Sequence, residues 1–94
     1  METKPVDIYS DASNYGVMRH PGRKFPGSLI QGDSLFLLVS AARVVLRRAQ
    51  ELKDRELIAN ATELMESLEA RLSHYEAVLS EHGISLPYVR PNDT

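Results

Sequence analysis

An α+β fold, strands first and helices after, follows from three observations on this chain of 94 residues. Up to Gly32 the apolar residues come in short runs broken by Asn, Asp, Ser, Pro and Gly, the punctuation of strands and turns. Between Asp33 and His82 there is neither glycine nor proline. Within that stretch apolar side chains recur every three or four residues, the period of an amphipathic helix. The prediction is a three-stranded antiparallel meander at about 5–9, 15–20 and 28–31, then two long helices at about 34–52 and 55–82, and a short extended C-terminal tail.

The strands come first. Val6 and Ile8 alternate with Asp7 in the first, and Pro5 suits its edge. The cluster Ser10–Asn14 holds residues whose side chains bond nearby backbone groups, so the chain reverses there. In the second strand Tyr15, Val17 and Arg19 share one face, and Gly16, Met18 and His20 the other. Pro21-Gly22 and Pro26-Gly27 each read as a tight turn, since proline presets φ and glycine accepts positive φ. Ser28–Gln31 is then a short strand ended by Gly32.

Asp33 or Ser34 suits the N-cap of the first helix, where a side-chain oxygen accepts from a free first-turn N–H. Ser40, Arg43, Arg47 and Gln50 mark its polar stripe, and the apolar remainder, Leu38 included, wraps most of the circumference. Such a helix needs cover on more than one side, from the sheet, the second helix or another subunit. One continuous helix of about fifty residues would run to about 75 Å, too long for a compact chain of this size. A break is therefore placed near Lys53–Arg55, with Asp54 as second cap and Asn60/Glu63 as a later alternative. In the second helix Leu57, Ala61, Leu64, Leu68, Leu72, Tyr75 and Leu79 form one apolar face, and Gly83 ends it. The surplus apolar surface on both helices predicts a homodimer.

Length gives one domain, residues 1–94, with 91–94 expected to fray. The hydrophobic share of 43% against 26% charged excludes a wholly disordered chain. A net charge of -2 gives no global pull towards nucleic acid or anionic membrane. With no cysteine, disulfides, thiolate metal sites and cysteine nucleophiles are excluded. The apolar run Leu35–Leu46 is broken by Ser40 and Arg43 and falls short of the roughly 20 apolar residues of a membrane span. Cytoplasmic residence is the expectation.

No residue pattern demands catalysis, and no cofactor or metal is expected. His20 beside Arg19, with Asp11 and Asn14 on the preceding turn, is the one arrangement resembling a general base, and a small-molecule or catalytic site there is kept as an alternative. His20, His74 and His82 are too dispersed to chelate one metal. Neither GxGxxG nor GxxxxGK[ST] is present. Two basic clusters stand out. Arg19, His20, Arg23 and Lys24, with Phe25, form a basic turn richer in charge than a turn requires, and are the candidate partner-binding residues. Arg43, Arg47 and Arg48 on the first helix are the candidates for a nucleic-acid alternative, which the acidic second helix disfavours. Pro21, Gly22, Pro26, Gly27, Gly32, Asp33 and Ser34 are assigned to turns and caps.

The segment FPGSLIQGDSL followed by a helix resembles the N-terminal module of HicB-type antitoxins, through Pro26, Gly27, Gln31, Gly32, Asp33, Ser34 and Leu35. The paired glutamates usual after the Ser/Thr are here Phe36 and Leu37, and the second long helix is extra. The fuller pattern YSDASNY, RHPGRKFPG, QGDSL and HYEAVLSEHGISLP is similar to a family of small bacterial proteins of unknown function. The HicB resemblance implies a βββα core that binds and blocks a small RNA-cleaving toxin. The expectation is thus a non-catalytic interaction module of antitoxin or immunity type, acting as a homo-oligomer.

Overall fold

The computed structural model describes residues 1–90. The fraying expected at 91–94 lies outside them. In chain order the elements are β1 (Asp7–Ser10), β2 (Val17–Arg19), β3 (Gly27–Ser28), α1 (Gly32–Leu52) and α2 (Arg55–Glu81). The α+β class, the antiparallel meander and the two long helices are as predicted. The chain divides into two compact units, Met1–Gln31 and the part from Gly32 onward, and each is described by itself.

In the strand unit the order is β1-β2-β3, antiparallel throughout. Asp7 pairs with Arg19 and Ile8 with Met18, and an irregularity at Tyr9 brings Ser10 opposite Val17. The reversal at Ala12–Tyr15 is closed by the Tyr15 N–H donating to the Ala12 carbonyl at 2.8 Å, with Ser13 at φ 48°. The strands are shorter than predicted, and one turn is misplaced. Pro26-Gly27 is not a turn: the chain bends at Lys24–Phe25, and Gly27 pairs with Met18 in β3. Proline lacks only the donor, so it is tolerated at the start of an edge strand. Pro21-Gly22 does form a turn, closed by the Arg23 N–H donating to the His20 carbonyl at 2.9 Å. Neither Gly22 nor Gly27 has a positive φ, so neither uses the freedom that suggested them.

The helix unit is an antiparallel pair with a two-residue connection. Lys53, at φ 54°, turns the chain, and Asp54 caps α2 by accepting from the Leu57 N–H at 3.1 Å. This is the predicted break. Asn60 lies inside α2 and donates from Nδ2 to the Glu56 carbonyl, so it is not a cap. At the far end Gly83, at φ 64°, closes α2: its N–H donates to the Ser80 carbonyl and that of Ile84 to the Leu79 carbonyl, the paired bonds of a Schellman stop.

The start of α1 differs from the prediction. Helical geometry begins at Gly32, so Gly32 does not end a strand, and Asp33 and Ser34 lie within the first turn rather than at the N-cap. Asp33 Oδ1 accepts from the Ser34 N–H at 2.9 Å, and its charge suits the positive end of the helix dipole. Gly32 is needed for a packing reason: a Cβ there would fall within the Tyr75 ring of α2.

Leu35, Val39, Ala42 and Ala49 of α1 are buried, and so are Ala61 and Leu72 of α2. Leu35, Val39 and Leu72 form the central cluster, with Phe36, Leu68 and Tyr88 packed on it. Buried Ala49 and Ala61 lie towards the connection, where small side chains let the helices approach closely. Leu38, expected in the core, is 44% exposed. At about 100° per residue it lies some 60° from the line through Leu35, Val39 and Ala42, just off the buried seam.

Candidate functional site

On the strand unit, the basic turn is held together by its own charges. Because Asp7 and Arg19 are paired residues of β1 and β2, their side chains leave the same face, and Arg19 donates to Asp7 Oδ2 at 2.6 Å. The Asp7 hydrogen bond, with a smaller contribution from Tyr9, raises the guanidinium above its already high ordinary pKa, so Arg19 is a permanent cation. It also reaches the Arg23 carbonyl at 3.5 Å, bracing the turn. His20 Nδ1 accepts from the Gly22 N–H at 3.1 Å, which assigns the proton of the neutral ring to Nε2. Asp11 and Asn14 sit at the other end of β2, so the general-base grouping is not assembled around His20. Instead, Val6, Met18, His20, Arg23, Phe25 and Leu29 line a shallow cleft of about 240 Å³, mostly apolar, on this unit. Lys24 lies 5.5 Å above the Phe25 ring.

The helix cations are dispersed. Arg43 is bound to Glu69 at 2.7 Å and Arg48 to Glu51 at 3.1 Å. On the helical wheel Arg43 and Arg47 lie on one side and Arg48 about 100° or more away, so the three do not present one stripe to a phosphate backbone. Among the described residues no group of three or more His, Asp or Glu is arranged to hold a metal ion. No helix there is long and apolar enough to cross a membrane.

The most fully built polar arrangement is one the sequence did not suggest. After the Gly83 stop the chain returns along the helix pair, and the Tyr88 ring stacks on Phe36 with centroids 4.3 Å apart and planes 16° from parallel. Tyr88 donates its hydroxyl proton to Glu76 Oε2 at 2.8 Å. Arg90 donates to Glu69 at 3.2 Å and lies 3.4 Å from Glu76. Glu69, held by Arg43 and Arg90 together, ties α1, α2 and the tail. Burial, then the Glu76 bond, pushes the Tyr88 hydroxyl well above the ordinary phenol value. Burial works against the Arg90 charge, but Glu69 and Glu76 outweigh it, and the guanidinium pKa is raised. The available sequence signals were weak: an aromatic within a Leu-rich run, and two glutamates seven residues apart.

The opposite flank of the pair is bare and apolar. Leu38, Val45 and Leu52 recur every seven residues along α1 and are 44%, 46% and 65% exposed. Leu57 and Leu64 of α2, also seven apart, are exposed as well, and in an antiparallel pair they fall on that same flank.

The model of a family of unknown function (DUF6959) matches residues 1–88. The chain belongs to that family. The match takes in both helices and extends to Tyr88, the residue that closes the tail onto Phe36. No curated protein and no solved structure matches the DUF6959 chain.

Proposed function

We propose that this DUF6959 chain is a non-catalytic protein-interaction module, of antitoxin or immunity type, that works in the cytoplasm as a homodimer. The observation that carries the reading is the bare apolar flank of the helix pair. Leu38, Val45 and Leu52 with Leu57 and Leu64 repeat at heptad spacing, the pattern by which helices pack on helices. A second copy offers the same stripe, so an isologous contact is self-complementary. The antitoxin form is supported by the likeness of FPGSLIQGDSL to the HicB N-terminal module, and the basic turn is the surface for the second protein.

Light scattering at high micromolar concentration tests the dimer. The expected mass is twice the 10.5 kDa of the chain. Leu38→Asp is expected to return it to monomer while its far-ultraviolet helix signal persists, because Leu38 is exposed in the single chain. A monomer mass for the parent protein removes the dimer reading.

A further inference from the structure

The cleft on the strand unit has a chemistry of its own. Its walls, Val6, Met18, Phe25 and Leu29, are apolar, and Phe25 and Leu29 are 72% and 50% exposed. Among the described residues no acidic side chain lines it. Two N–H sources do. Arg23 has no carboxylate within ion-pair distance among the described residues, whereas neighbouring Arg19 is taken by Asp7. His20 spends Nδ1 on the Gly22 N–H, which leaves Nε2–H as a donor. An apolar floor beside two unfilled donors complements an apolar side chain next to a carboxylate.

The free edge of β3 runs along this cleft. The Leu29 N–H donates to the Gly16 carbonyl, towards β2. Alternation along β3 then turns the Ser28 N–H outward. Pro26 has the same parity and no N–H, so outward donors begin at Ser28. That edge offers the outward Ser28 N–H, a backbone donor of the kind peptides use to add a strand to a sheet. In an added strand, side chains two residues apart share a face and stand about 7 Å apart, enough to reach both the donors and the apolar walls.

We propose that this cleft and the β3 edge bind an extended segment of a protein partner in which a carboxylate side chain and an apolar side chain stand two residues apart. This rests on the interaction-module reading and names the chemistry of the partner.

The test is a titration of the full-length, nitrogen-15-labelled chain with an acetylated, C-terminally amidated octapeptide in which threonine alternates with glutamate and leucine. Saturable shifts of the Ser28 amide and of the Arg23 and His20 side chains are expected. Arg23→Glu, at an exposed position, should weaken binding about tenfold by setting like charge against the peptide. Leu29→Ser gives an independent check on the apolar wall. No saturable shift at millimolar peptide, equal binding of a lysine-for-glutamate peptide, or unchanged affinity in Arg23→Glu overturns the proposal. So does binding only when the peptide carboxy terminus is left free, since that would make the terminal carboxylate the recognised group. Shifts confined to Leu38, Val45 and Leu52 would reject the cleft and keep an interaction module on the helix pair. A monomer mass with a normal titration would do the reverse.

Discussion

Replacing Tyr88 with alanine removes a stacked ring, a hydroxyl donated to Glu76 at 2.8 Å, and the cover over Phe36. An aromatic pair in this geometry is worth about 0.5–1.5 kcal/mol beyond area burial, and a part-exposed hydroxyl–carboxylate bond about 1 kcal/mol. With modest lost burial the sum is about 2–3 kcal/mol, which for a chain of this length lowers the melting temperature by about 8–24 °C. Tyr88→Phe keeps the ring and should cost only about 1 kcal/mol. A double-mutant cycle of Tyr88→Ala with Phe36→Ala should show about 0.5–1.5 kcal/mol of coupling. Circular dichroism in heat and in urea, at one fixed protein concentration, reads all of these. There is a pH signature too. The folded-state pKa of Tyr88 is raised above the ordinary tyrosine value of 10.0, so its contribution is complete below that pH. It is lost as pH rises beyond it, because the unfolded chain releases the proton first. Tyr88→Phe should flatten that alkaline loss relative to the parent. An unchanged melting temperature in Tyr88→Ala, or no coupling to Phe36, would falsify this account of the tail.

Two further predictions concern the helix pair. Leu72 is fully buried and touches the Leu35–Val39 cluster, so Leu72→Ala should cost about 2–5 kcal/mol, a large share of the about 5–15 kcal/mol of a typical domain. A urea midpoint within error of the parent would show that the core lies elsewhere. Gly32→Ala should destabilise by about 1–3 kcal/mol despite alanine's better helix propensity, because the new methyl overlaps Tyr75. In a Tyr75→Ala background the same change should become neutral or stabilising, and calorimetry of the four proteins checks the reversal.

Local signals in the sequence carried the architecture well. Turn formers at Ser10–Asn14, the Asp54 cap and the Gly83 stop each act over a few residues, and each lies where the residues indicated. What failed depends on partners distant in sequence. Gly32 reads as punctuation until Tyr75, 43 positions away, is seen to need its space. Pro26-Gly27 has the composition of a turn, but pairing with β2 draws Gly27 into a strand. Leu38 and Leu35 look alike in a Leu-rich run, and only the direction of α2 tells the buried one from the exposed one. The basic turn was legible as charge. Its sorting into an Arg19 spent on Asp7 and an Arg23 with no ion pair among the described residues was not, because that depends on the β1–β2 register.

The two flanks of the helix pair lead to different behaviour. Three of its six buried residues are alanines, which bring the helices close but contribute little area, so cover from outside the seam matters. One flank is closed within the chain by Tyr88 and Arg90, and the other presents Leu38, Val45 and Leu52 to solvent. A contact inside one chain stabilises equally at every protein concentration, whereas a contact between copies adds stability that grows with concentration by mass action. Tyr88→Ala should therefore lower the melting temperature by the same amount in dilute and concentrated samples. Leu38→Asp should instead abolish the rise in melting temperature with concentration and leave the dilute value nearly unchanged. If both variants lower the dilute value alike, the bare flank is packed within the chain rather than against a second copy.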